Sequence, residues 1–251
     1  MNGPEKFVRF LQDSQYHPRS DAHSNAICKF IVEDLVASCP ALAARTSTGE
    51  MVAAINLTQT VGHDTWNIDL ALGPPAATPM PPEPGDAFRF DKPAVVQIAL
   101  EAKGIMTEHG KARRNRLRDF QAFHEHAHRY NARTIAAGIV VINAAQRYWS
   151  PTRDPDDITE HRNIPTLIKS TIDVFRSLPQ RDSSAGAPGL EAFCVLVVEH
   201  DNLGKNPNTA VGTQSKPSQL IAAPPAPAVS DPLNYASMIY RVCDAYKERF
   251  G

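Results

Sequence analysis

Asp69, Glu101 and Lys103 are two carboxylates and an amine whose positions allow them to converge. Side chains alternate across a strand. In residues 94–103, a run otherwise apolar, Val96, Ile98, Leu100 and Ala102 share one face, and Val95, Gln97, Ala99, Glu101 and Lys103 share the other. In residues 65–72, Ile68, Leu70 and Leu72 share a face opposite Asn67 and Asp69. If the two strands pair, Asp69 lies beside Glu101. Carboxylates that close repel unless a cation sits between them. A hard ion such as Mg²⁺ takes oxygen ligands, keeps several waters and lowers their pKa. Lys103 is then placed to orient a water or to neutralise charge on a phosphate. Read without chemistry, Glu101 and Lys103 form an exposed ion pair at a strand end.

The elements that must position these residues are legible in the pattern. Residues 22–38 read as a helix with Ile27, Ile31 and Leu35 at helical spacing, ending before Pro40. Residues 50–58, 65–72 and 94–103 read as three strands. A long polar and basic helix covers 108–130, and the continuous apolar run 134–142 reads as a buried strand. A helix over 163–177, a core strand over 192–199 and a helix over about 233–249 complete the chain. This order predicts an α/β fold, a mixed central sheet of about five strands flanked by helices. Proline is clustered at 74–84 and 207–232, where it breaks regular structure. The domain reading is a unit over 1–202 with its core in 22–199, a proline-rich loop or linker over 203–232, and a C-terminal helix over 233–251. The apolar residues of that helix cover this chain's core or a partner's.

Asp69, followed by Glu101-Ala102-Lys103, resembles the Asp…(Asp/Glu)-x-Lys signature of the restriction-endonuclease-like superfamily, the PD-(D/E)xK nucleases. The order helix, three-strand meander, helix, strand over residues 22–142 is similar to that family's core. The resemblance implies a Mg²⁺-dependent nuclease, with Mn²⁺ as a substitute, acting on DNA as an endonuclease of restriction or phage-defence type. It implies Asp69, Glu101 and the backbone carbonyl of Ala102 as metal ligands and Lys103 as the catalytic lysine. A type II restriction endonuclease would work as a homodimer. Two departures stand out. Asn67-Ile68 precede Asp69 where the family name implies proline, and a long proline-rich insertion separates Asp69 from Glu101. The family often adds an acidic helper from its first helix. Glu33 is the candidate, and otherwise it is a solvent-facing partner of Lys29 one turn earlier.

Residues 111–118 carry five basic side chains in eight (Lys111, Arg113, Arg114, Arg116 and Arg118, with Asn115 among them) in a chain of net charge −1. Placed just after Lys103, they suit phosphate oxygens and base edges; alone, such a run is a solvated helix face. His124-Glu125-His126-Ala127-His128 formally matches His-Glu-x-x-His, which makes a zinc peptidase the rival enzyme. The same histidines otherwise belong to a surface helix anchored by Phe120 and Phe123, or add phosphate contacts. A non-catalytic nucleic-acid-binding module is the third reading.

With 42% hydrophobic and 21% charged residues the chain has the composition of an ordinary soluble protein. Its net charge confines nucleic-acid binding to a local patch. Cys28, Cys39, Cys194 and Cys243 form no short-spacing motif, so reduced thiols in a cytoplasmic protein are expected. No apolar run approaches the roughly 20 residues needed to span a bilayer, and residues 1–6 lack the apolar character of a leader.

Overall fold

The computed structural model describes residues 1–208 and 214–251. Residues 209–213, part of the proline-rich loop expected over 203–232, lie outside the described residues. The chain forms helices α1 (Gly3–Asp13), α2 (Ala22–Ser38) and α3 (Pro40–Ser47), then strands β1 (Val52–Val61), β2 (Asp64–Gly73), β3 (Arg89–Phe90) and β4 (Ile98–Ile105). Helix α4 (His109–Tyr130) leads to β5 (Ile135–Asn143) and a short hairpin, β6 (Arg147–Trp149) and β7 (Ile158–Glu160). Helix α5 (Ile164–Phe175), β8 (Ala192–Glu199), β9 (Gln219–Leu220) and α6 (Tyr235–Phe250) follow.

The central sheet is mixed, with seven strands among the described residues in the order β3-β1-β2-β4-β5-β8-β9. The fold is therefore α/β with a mixed sheet between helical layers. Five strands carry it, and the two-residue β3 and β9 blunt its edges. The meander β1-β2-β4 is antiparallel, whereas β4, β5 and β8 run parallel. The parallel pair needs a crossover, which α4 supplies. All of β5 is buried, as its unbroken apolar run requires.

One face of the sheet packs under α1, α2, α3 and α6, through residues such as Leu11, Ile31, Leu42 and Val242. The other packs under α4 and α5, through Phe120, Phe123, Ile168 and Phe175. Helix α6 covers this chain's own core: Met238, Ile239, Val242, Cys243 and Tyr246 all join the α2-side cluster. Cys39 and Cys243 are joined, with Cα atoms 5.5 Å apart, inside the span a disulfide bridges. The expectation of four reduced thiols is thus corrected to two, Cys28 and Cys194, both buried. Sequence spacing did not reveal the pair because its partners lie 204 residues apart. No helix among the described residues is long and apolar enough to cross a membrane.

The expected face alternation needs two corrections. In β1, Ala53 and Ile55 pack on the α2 side but Leu57 and Val61 on the α4 side. In β2, Leu70 and Leu72 face α2, whereas Ile68 and Trp66 face α4. Ile68 and Leu70 therefore do not share a face. The phase changes at Asn56, which is left-handed at φ 55°; asparagine tolerates that conformation better than most side chains. Pairing resumes in the same register on both sides, Ile55 with Leu70 and Leu57 with Ile68, skipping Asn56 and Asp69. Likewise Val96 lies in the α4-side core, apart from Ile98, Leu100 and Ala102, because β4 begins only at Ile98.

Candidate active site

The switch in β1 and β2 sets Asp69 at the point where its strand turns over. Ladder pairing between β2 and β4 runs from Leu72–Ile98 to Leu70–Leu100 and stops. Beyond it Asp69 Oδ2 accepts the backbone N–H of Ala102 at 2.8 Å. The carboxylate thereby replaces a missing ladder partner, and the strands part around it. The N–H and C=O of one strand residue project to the same edge, so the Ala102 carbonyl also faces this gap.

Lys103 joins the two acids. Its Nζ lies 3.3 Å from Asp69 Oδ2 and forms an ion pair with Glu101 as well. The pair is not the exposed strand-end bridge that a reading without chemistry expects, because Glu101 is only 8% exposed. Burial first, and then the Asp69 carboxylate, push the Glu101 carboxyl up to about 7, against the opposing pull of Lys103. Lys103 itself is held above its usual value: burial lowers it, but the two carboxylates together raise it by more. Gly138 pairs with Glu101 across the β4–β5 ladder. A Cβ there would sit 2.9 Å from the Phe120 ring of α4, so the missing side chain lets α4 close tightly over this part of the sheet.

Asp69, Ala102 and Lys103 form one wall of a cavity of about 200 Å³. Its opposite wall includes Tyr16, Asp21 and His23 from α2 and the segment before it. A second section of about 360 Å³ continues outward between Lys111, Asn115 and Arg116 of α4 and Ser150, Thr152 and Arg153 beyond β6. Tyr16, Gly104 and Arg116 border both sections, so the two form one groove.

The remaining expected residues divide. Of the basic run, Lys111, Asn115 and Arg116 face the groove. Arg113 points the other way, its Nη1 donating to Ser170 Oγ of α5 at 2.7 Å. Arg114 and Arg118 are exposed and border neither section. Glu33 lies away from the cavity: Lys6 Nζ of α1 pairs with it at 2.7 Å, so it fastens two helices, and its partner is not Lys29. Asp21, His23, Tyr16 and Arg153 were missed; no motif marks them, and they arrive through packing of remote segments.

The histidine motif does not assemble a ligand set. His128 Nε2 meets the Gly189 carbonyl at 2.7 Å, and its Nδ1 meets Arg181 Nη1 at 2.5 Å, so both ring nitrogens are engaged. His126 Nδ1 contacts the Ala122 carbonyl. Phe120 and Phe123 anchor this part of α4 in the core as expected, and His124 and His128 are buried on the same side, while Glu125 and Arg129 are exposed. Among the described residues no group of three or more His, Cys, Asp or Glu is placed as a metal cage. The Asp69–Glu101 pair fits a different kind of site, one in which two carboxylates share an octahedral ion with water and substrate oxygens. The raised carboxyl of Glu101 reflects its burial first and the Asp69 charge second, with Lys103 already paired to both acids.

Comparison with family models, curated proteins and solved structures yields no match to this chain.

Proposed function

We propose that this protein is a metal-dependent nuclease of the PD-(D/E)xK type that hydrolyses phosphodiester bonds in DNA. One observation carries the reading. Two carboxylates from separate strands meet around one lysine where β2 and β4 part; Glu101 lies buried behind Lys103, while Asp69 and Lys103 line a groove that continues between basic side chains. Asp69, Glu101 and the Ala102 carbonyl would hold Mg²⁺ or Mn²⁺. The ion's contribution when bound is to lower the pKa of a coordinated water and to offset charge on the phosphate.

The chain's own residues do the rest. Lys103, positive throughout the neutral range and fixed by both acids, orients the attacking water and faces the developing charge at phosphorus. Lys111 and Arg116 hold the backbone of the bound strand by charge-assisted bonds. An endonuclease of restriction or phage-defence type, acting in the cytoplasm and as a homodimer, is the setting we infer with it.

The test is incubation of plasmid and linear DNA with the protein, with and without Mg²⁺ or Mn²⁺. Wild type should cut only with metal. Asp69→Ala and Lys103→Ala should each cut slower by roughly a hundredfold or more, while folding normally. Cutting that survives chelator, or an unimpaired Lys103→Ala, defeats the proposal. Loss of activity on Glu125→Ala with Zn²⁺ present would favour the peptidase instead.

A further inference from the structure

Tyr16 is held with more care than a loop residue requires. It lies in the stretch between α1 and α2, and Asn202, beyond the end of β8, clamps its backbone from both sides. Tyr16 N–H donates to Asn202 Oδ1 at 3.1 Å, and Asn202 Nδ2 donates back to the Tyr16 carbonyl at 3.0 Å. The same Nδ2 also reaches the Trp149 carbonyl at 3.0 Å. Asn202 makes this clamp from a left-handed backbone, φ 57°. The phenol ring is fixed as well: His23 lies against it with centroids 4.0 Å apart, and Tyr148 meets it edge-on at 6.4 Å.

This scaffolding aims the hydroxyl at one place. A Cβ on Gly104 would come within 2.8 Å of Tyr16 Oη, so the hydroxyl occupies the space a side chain next to Lys103 would fill. There it borders both the catalytic cavity and the outer groove, as Arg116 does. Among the described residues no group hydrogen-bonds to Oη. Arg116 is also incompletely used: Nη1 bonds Asp119 at 2.9 Å, but its buried Nε has no acceptor. A fixed phenol and an underemployed guanidinium, flanking a lysine, form a set of donors lacking an acceptor.

We propose that Tyr16 Oη and Arg116 form a phosphate subsite at the junction of the two groove sections, with the phenol donating to a non-bridging oxygen of the bound strand. The subsite rests on the nuclease reading for its ligand, a nucleic-acid phosphate. Burial keeps the phenol protonated and therefore a donor, although Arg116 opposes that shift. Tyr16 adds no charge, whereas Arg116 displaces a counter-ion when the strand binds.

The experiment measures duplex oligonucleotide binding in Ca²⁺ across a salt series, and metal-dependent cutting in Mg²⁺, for wild type, Tyr16→Phe, Arg116→Gln and Gly104→Ala. Tyr16→Phe keeps the ring packing and should melt like wild type. Its Kd should rise about tenfold, as expected for losing a hydrogen bond to a charged acceptor, with the slope of log Kd against log salt unchanged. Arg116→Gln should lower that slope by about one. Gly104→Ala should weaken binding by displacing Oη, and should add little in the Tyr16→Phe background. A Tyr16→Phe protein that binds within twofold of wild type overturns the subsite, as does a Gly104→Ala effect that persists undiminished without the hydroxyl. Wild type that binds but never cuts defeats the nuclease reading alone, since the binding arm still decides the role of Tyr16. Wild type that binds no duplex overturns both.

Discussion

Glu101 sits between two demands. Metal binding needs its carboxylate ionised, but its burial and the neighbouring Asp69 charge hold its pKa up to about 7. In the proposed site a metal ion would therefore have to displace a proton over the neutral range. Between pH 6 and pH 8 the ionised fraction rises about tenfold for a group of that pKa. Calorimetric titration with Mn²⁺ should show the apparent affinity rising by about that factor over the same interval, with net proton release at pH 6. In Glu101→Gln the steep dependence should disappear. A flat profile in wild type would mean that Glu101 is ionised well below neutrality and is not the group that gates the ion.

At this same scale, what could be read in advance followed from how far the information travels along the chain. Glu101 and Lys103 project together because alternation is a property of adjacent residues, and Asp69 could be put next to them on the assumption that the strands pair. Tyr16, Asp21 and His23 form the facing wall, yet no spacing rule links residue 16 to residue 104 or residue 202. Arg113 shows the converse error. Five basic residues among eight look alike, but a helix sends them in different directions, and Arg113 is turned to Ser170.

Among the elements, β1 and β2 carry the most consequential departure from expectation. Helix α2 and strand β8 match their expected ranges because α2 presents one regular apolar stripe to the sheet and β8 alternates without interruption between the two layers. The hairpin instead serves both layers, one with each half, and changes sides at Asn56. A single left-handed residue writes nothing into hydrophobic patterning. Helix α6 makes a second statement at this scale. It is fastened to the start of α3 by the Cys39–Cys243 link, closing a loop across most of the chain. Such a link typically contributes about 2–4 kcal/mol. Thiol titration of the denatured, unreduced protein should detect Cys28 and Cys194 alone, and reductant should lower the melting temperature by several degrees. Four reactive thiols before reduction would show that the two cysteines are merely neighbours and that α6 is held by packing.

For the molecule as a whole, buried histidines set the response to acid. Burial holds His109, His128 and His200 down to about 4. Unfolded histidines protonate near pH 6.5, so below that pH the unfolded chain takes up more protons than the folded one. Stability is complete above pH 6.5 and is lost as pH falls towards 4. Glu101, raised to about 7, and Glu191, also raised by burial, work in the opposite sense over much of this window, but they are set against these three histidines and against His23 and His124, which burial lowers as well. Thermal melts at pH 7, 6 and 5 should show a monotonic fall in melting temperature, steepest below pH 6. A protein equally stable at pH 5 and pH 7 would contradict these depressed histidines.

The clamp between Asn202 and Tyr16 also bears on when the protein becomes competent. The strand bearing Lys103 is synthesised well before Asn202, the amide that fixes Tyr16 in the facing wall from 186 residues further along the chain. A nascent chain stalled before that point would carry the reactive trio without a finished trench. On the proposed nuclease reading, synthesis itself would hold back the finished site until the chain has passed residue 202.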